Sequence, residues 1–390
     1  PRQVKRIFRN SRIIGRRFRL AHIYFQNRKI IEVATFRAMA DQEPPGEEGD
    51  DKDLLIRDDN VFGTLEEDAL RRDFTINQLF YDVVEQNVID HADGLDDLRR
   101  RSVRTIGDPA VRFREDPIRI LRAIKFAARL DFRIEDGTFA ALKQAVSEIP
   151  RAAPPRVLEE INRFCAGGAA RRSFELLRQT GVFEVILPEF AGPYRQDRKA
   201  VDTLDRLLAA MDRRTAGGRE PETGEILAVL AVPILFDRLG WRRDGTAAWP
   251  QGVDMHRVVD DLVRPLAQRL RISRKDQELC RTLVMTLFRM VPHKKARPNV
   301  RRAIFSRECL PAALWILEAL GGILGGEFSE SAGFWARERK EDGGGRERQR
   351  SGDRPAGTGK GRSSRRRRGR GGKGQDGAGG EKEPQGRKPA

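Results

Sequence analysis

The period of the apolar residues changes along this chain, and that change limits the folds open to it. Within the first forty residues, 17–25 and 29–37 read as two β-rich runs joined by a short turn at Gln26-Asn27, which predicts a hairpin. A short helical start, Val4 to Phe8, precedes them. From Leu65 the pattern is helical through Phe80, and a brief strand at Val88-Ile89 ends in the turn His91-Ala92-Asp93-Gly94. Almost everything from there to Trp335 keeps a helical period. The clearest helix starts at Asp116-Pro117, Asp as N-cap and Pro at the first helical position. Ile118, Leu121, Ile124, Ala127 and Ala128 form its apolar face as far as Leu130. Further helices are expected over 155–165, 171–180, 201–211, 226–239, 255–270, 274–290 and 310–320. The fold class is therefore α+β, a small mixed head followed by an all-helical body.

Charge narrows the partners. The 390 residues carry a formal charge of +17 with 39% hydrophobic residues, which excludes wholesale disorder and points to a polyanion. The first forty residues hold 11 Lys/Arg against the single acid Glu32, while Asp41 to Asp68 holds 12 acids against Lys52 and Arg57. Residues 41–53 read as an acidic mobile loop. From Arg337 to Ala390 there are 18 basic and 8 acidic residues, and glycine fills 15 of the 54 positions. Aromatic and aliphatic side chains vanish there, so a disordered basic tail is expected, with Arg365, Arg366, Arg367 and Arg368 as its RNA-capturing run. Cys165, Cys280 and Cys309 lie too far apart for a disulfide framework or a cysteine zinc cluster, which fits a reducing cytoplasm. No apolar run approaches the roughly 18 residues that would span a bilayer.

Three clusters carry candidate chemistry. Arg71-Arg72-Asp73-Phe74-Thr75-Ile76-Asn77 reads, on spacing alone, as an amphipathic helix with solvent-facing charges. In Arg112 to Phe126, Asp116, Arg119 and Arg122 step by three residues and could share one side of a helix. A guanidinium beside a carboxylate presents donors and acceptors in one plane, as reading a base edge requires. Lys125 points nearly opposite to Asp116 and needs a different contact. Glu32, in Ile30 to Arg37, is a lone acid on an apolar strand. Arg17, Arg19 and Arg37 offer it ion pairs, and a metal role needs other carboxylates to converge on it.

Taken in order, these strings resemble the class II polynucleotide nucleotidyltransferases, the group of bacterial poly(A) polymerases and CCA-adding enzymes. Phe8-Arg9-Asn10, Gly15 to His22 and Ile31 to Arg37 look like the stretch after that family's metal motif. Arg71 to Asn77 looks like its second signature, Glu115-Asp116-Pro117-Ile118-Arg119 like its nucleotide-selecting EDxxR, and Pro155 to Glu160 like the neck helix that follows. Within the group the likeness is nearest to the bacterial poly(A) polymerases, on the long loop before Leu54 to Gly63, the run Glu66-Glu67-Asp68-Ala69 and the basic tail. The resemblance implies a partial nucleotidyltransferase head over 1–98, a helical nucleotide-selecting neck over 99–190, a helical RNA-binding body over 191–336 and the tail over 337–390. It implies AMP transfer from ATP to RNA 3′ ends, assisted by Mg²⁺, in a cytoplasmic monomer. Asp73 and Glu32 become the catalytic carboxylates, Glu32 also a metal ligand. Arg72 would contact the nucleotide, Asp116 and Arg119 would read adenine, and Arg122 with Lys125 would hold phosphate or primer. The family commonly has Arg where Lys125 stands.

The same resemblance implies a Gly-Gly-x-x-Arg-Asp turn and an Asp-x-Asp strand ahead of these motifs, and the sequence starts at Pro1 without them. A fragment or late-start gene model, inactive alone, is therefore expected. Two other readings stand beside it, a CCA-adding tRNA nucleotidyltransferase and a non-catalytic RNA-binding homologue.

Overall fold

The basic N-terminal stretch forms α1 (Arg2–Ile7) and an antiparallel sheet of β1 (Ser11–Ile14), β2 (Leu20–Tyr24) and β3 (Ile30–Val33), in that order. The computed structural model describes residues 1–15, 20–26, 29–38, 62–248, 252–291 and 293–352. The pair β2–β3 is the expected hairpin, and β1 is a strand the sequence did not signal. Alternation along β2 buries Ala21 and Ile23, while His22 faces Glu32 across the ladder. Arg17, Arg19, Asn27, the acidic stretch 41–53 and Arg365 to Arg368 lie outside the described residues.

A capping box opens α2 (Leu65–Leu70): the Thr64 hydroxyl accepts from the Glu67 N–H at 3.2 Å, and the Glu67 carboxylate accepts from the Thr64 N–H at 2.6 Å. The helix ends at Leu70, not at Phe80 as its period suggests. Phe74 is the reason. Its fully buried ring packs edge-on against Phe126 at 5.8 Å, its extended backbone bridges Thr105, and the Thr75 N–H donates to the Arg104 carbonyl at 3.0 Å. A single 3₁₀ turn, Thr75–Asn77, leads to the small antiparallel pair β4 (Phe80–Asp82) and β5 (Asn87–Ile89), then α3 (Gly94–Arg99). Gly94 is required there, because a Cβ would lie 2.3 Å from the Thr75 carbonyl oxygen.

The next segment interrupts its helices with one parallel pair, β6 (Ser102–Val103) and β7 (Arg133–Ile134). Between them run α4 (Pro109–Glu115) and α5 (Ile118–Leu130). Asp116 ends α4, and its carboxylate accepts from the Ile118 N–H at 3.2 Å, so it caps α5 from one residue further out than expected. Helices α6 (Asp136–Gln144), α7 (Pro154–Cys165), α8 (Ala170–Thr180), α9 (Val182–Ile186) and α10 (Pro188–Gln196) follow. The body comprises α11 (Arg198–Ala216), α12 (Thr223–Ala231), α13 (Met255–Leu270), α14 (Arg274–Met290), α15 (Pro298–Phe305), α16 (Leu310–Leu324) and α17 (Gly326–Gly352). The helix expected over 226–239 stops at Ala231 because Pro233 brings no N–H and sits in a 3₁₀ turn. One contiguous apolar core runs from Phe74 to Trp335. The last described helix, α17, ends at Gly352. No described helix is long and apolar enough to cross a membrane.

Candidate nucleotide-binding site

Because the chain leaves α2 at Arg71, the Asp73 carboxylate turns inward and is only 7% exposed. Its Oδ1 accepts from the Phe74 N–H and from Asn77 Nδ2, both at 3.0 Å, and its Oδ2 accepts from Arg122 Nε at 2.5 Å. Arg122 comes from α5, where it also lies over the Phe126 ring at 5.5 Å. Two clusters 49 residues apart thus meet in one ion pair.

Arg72 is fixed on three sides. Asp68 Oδ2 accepts from Nη2 at 3.0 Å, the Asn77 carbonyl accepts from Nη1 at 2.8 Å, and the guanidinium stacks 4.7 Å from the Phe80 ring centre. Asp68, which no spacing singles out, is buried and also pairs with Arg71 at 2.9 Å. Burial pushes its carboxyl up, but hydrogen bonds and charge from Arg71 and Arg72 outweigh that and hold it below the usual carboxylate range. The Arg37 N–H reaches the same carboxylate at 3.3 Å and ties the chain after β3 to α2.

Beneath this turn lies a second network that spacing did not reveal. Arg112 Nη2 donates to the carbonyls of Arg71 at 2.7 Å and Arg72 at 2.6 Å, and its Nη1 donates to Glu115 Oε2 at 2.7 Å. Arg119 Nη1 donates to the same Oε2 at 2.8 Å and to the Arg112 carbonyl at 3.1 Å. Arg112 therefore holds the backbone that carries Arg72 and Asp73. Burial, then the charge of Arg119, lowers its proton affinity.

Asp116 and Arg119, expected to share one side of a helix, hold different partners in the structure. Arg119 turns inward to Glu115, whereas Asp116 takes a bidentate pair from Arg156 of α7 at 3.0 and 2.8 Å. Lys125 is 5% exposed and donates to Glu160 Oε2 at 2.7 Å, and the other oxygen of Glu160 accepts from Arg163 at 3.0 Å. The different contact that Lys125 needs is therefore a buried carboxylate. Burial lowers the proton affinity of its ammonium. Glu32 sits on an open face of the sheet, its side chain 63% exposed, with Oε1 3.1 Å from His22 Nε2, so its cross-strand partner is His22. No sequence signal named Asp68, Arg112 or Arg156. The nearest was their position inside the strings that carry the resemblance.

The implied Mg²⁺ does not fit what is described. Among the described residues no three His, Cys, Asp or Glu side chains converge to hold a metal ion. Asp73 has both oxygens engaged by N–H donors, and Glu32 lies beside a histidine rather than another carboxylate.

A buried acid–arginine pair, Asp73 with Arg122, thus joins the turn after α2 to α5. Residues 1–104 match the family model "Poly A polymerase head domain", and residues 131–192 match "Probable RNA and SrmB- binding site of polymerase A". Both matched stretches are thus similar to parts of poly(A) polymerases. It is 38% identical over 220 residues to poly(A) polymerase I of Haemophilus influenzae, covering 55% of this chain and 48% of that protein. It is 36% identical over 198 residues to a CCA-adding enzyme of Streptococcus sanguinis, covering 49% of this chain and 45% of that protein. The chain thus spans about half the length of the curated relatives it matches. Its fold is that of the Bacillus stearothermophilus CCA-adding enzyme solved with CTP, at a TM-score of 0.59 and 23% identity, over 86% of this chain and 70% of that one.

Proposed function

We propose that this chain carries the nucleotide-selecting and primer-holding part of an enzyme that adds AMP from ATP to RNA 3′ ends without a template. The observation that carries the reading is the 2.5 Å contact between Asp73 and Arg122, which joins the two motifs of the resemblance. The relatives named poly(A) polymerase I point to adenylate as the nucleotide. In this reading Asp73 orients the Arg122 guanidinium through Nε and leaves its two Nη groups to grip phosphate oxygens in one plane. Arg72, its donors committed to Asp68 and Asn77, supplies positive potential rather than a fork. Asp116 accepts from the adenine amino group once Arg156 lets go, and Arg119, anchored through Nη1, offers its remaining donors to the base. Lys125 acts through Glu160, as a support for α5 against α7. The reaction takes place in the cytoplasm on a monomer, in keeping with three buried, free thiols.

We propose that the 390-residue chain alone does not tail RNA, a reading supported by the described carboxylates, among which no three converge on a metal site. The same chain, extended at its N-terminus by a strand carrying Asp-x-Asp, does. A labelled RNA primer incubated with ATP and Mg²⁺ tests both halves. Clear Mg²⁺-dependent tailing by purified 1–390, with host enzyme excluded, overturns the first half. Silence of a folded, extended chain overturns the second. The relative named CCA-adding enzyme sustains a second reading, in which CTP is also a substrate.

A further inference from the structure

The helical body holds a pair of arginines that the site above does not use. Thr286 of α14 is fully buried, and its hydroxyl donates to the Thr282 carbonyl at 2.6 Å and accepts from Arg307 Nη1 at 2.9 Å. Arg307 stands in the turn after α15. Arg289 lies three residues beyond Thr286, on the same face of α14, and is half-buried. The Arg307 head group is therefore held against the side of α14 from which Arg289 projects.

Among the described residues neither arginine has an acid partner. Among the described residues Arg289 makes no hydrogen bond or ion pair, and the Arg307 side chain bonds only to Thr286. Nearby cations behave otherwise: Arg281 pairs with Asp260 at 2.6 Å, Lys294 with Glu330 at 3.1 Å and Arg301 with Glu338 at 3.4 Å. Burial, and then the Arg307 charge, lowers the proton affinity of Arg289, and no acid acts in the other direction. Two like charges held together half out of water are a cost that an anion between them removes. Planar guanidinium groups take a phosphate through parallel N–H···O bonds.

We infer that Arg289 and Arg307 form a phosphate-binding site for the RNA backbone, outside the stretches 1–104 and 131–192 that match the family models. The inference rests on RNA being the substrate, as proposed above. A single-stranded phosphate contact contributes about 0.7 to the slope of log affinity against log salt. Its loss therefore weakens binding about eightfold at 50 mM salt and about threefold at 200 mM.

The experiment is fluorescence anisotropy of a labelled oligoadenylate titrated with the full chain between 50 and 200 mM salt. Arg289→Gln is expected to lower the slope by about 0.7, Arg289→Lys to keep it, and thermal unfolding of Arg289→Gln to occur no lower than in wild type, because repulsion is relieved. An unchanged slope and affinity in Arg289→Gln overturns the site. So does a binding loss that only follows a lowered melting temperature, which would make the arginine structural. Displacement of the RNA by polyglutamate as readily as by unlabelled RNA would assign the pair to an acidic protein and also overturn it. AMP transfer is not the readout. Expected slopes together with no transfer by the chain extended by an Asp-x-Asp strand keep this site and sink the proposed reaction, and the reverse result does the opposite.

Discussion

Lys125→Met separates a structural role from a phosphate-holding one. Lys125 and Glu160 are 5% and 3% exposed and lie 2.7 Å apart. Removing one partner of a buried pair costs about 3–5 kcal/mol, because it strands the other charge. Arg163 remains 3.0 Å from Glu160, but its side chain is 47% exposed and only partly compensates. The expected loss is thus about 3 kcal/mol. In Lys125→Met/Glu160→Leu no charge is stranded, and stability should return to within about 1 kcal/mol of wild type, far less than the sum of the two single losses. Urea unfolding of the wild type, both single variants and the double variant measures the cycle, with unchanged slopes as the check that the transition is the same. The pH dependence has a definite sign. The folded ammonium titrates below its ordinary value of 10.5, so between the two values the unfolded chain binds more protons. Stability from this group is therefore full above 10.5 and lost as pH falls through the folded value, a dependence that Lys125→Met lacks. A Lys125→Met protein within about 0.5 kcal/mol of wild type, with RNA or ATP affinity down tenfold, would refute the reasoning and place Lys125 on phosphate.

Other perturbations probe the same framework. Arg122→Met leaves Asp73 Oδ2 without its partner, and because the Arg122 side chain is 35% exposed the cost should be about 1–2 kcal/mol. AMP transfer by the extended chain should fall by far more than this loss of folded protein explains, and equal activity would detach the pair from the reaction. Gly94→Ala should cost about 2–3 kcal/mol in thermal or urea unfolding, since the new Cβ meets the Thr75 carbonyl, and a neutral result would mean that turn gives way freely. Cys280 is fully buried, and burial pushes its thiol up to about 12, so at pH 8 it should resist thiol reagents until the protein is unfolded. Rapid labelling of the native protein would show that α14 opens.

How far the sequence could be read depended on whether a residue's partner was local. Helix α5 was legible because Ile118, Leu121, Ile124 and Ala128 all face the core, and α13 and α14 matched their expected limits for the same reason. Residues 71–80 have a helical period yet leave the helix, because the force that ends α2, the burial of Phe74 against Phe126 and the pull of Arg122 on Asp73, comes from residues some fifty positions away. A helical period cannot carry that information. The resemblance did pick out Asp73 and Arg122, but it did not say that they touch. Asp116 and Arg119 can share a face by spacing, and each is held by a neighbour that spacing does not rank, Arg156 and Glu115. The helix over 226–239 fell to a visible signal, Pro233, outweighed by the apolar residues around it.

The account is tested most directly by nucleotide choice. The chain extended by an Asp-x-Asp strand, given Mg²⁺ and an unstructured RNA primer, should add a run of AMP from ATP and almost nothing from CTP. Asp116→Ala should weaken that preference more than it weakens RNA binding. Efficient CTP incorporation into a tRNA lacking its last three nucleotides, with ATP used only for a single final addition, would contradict it.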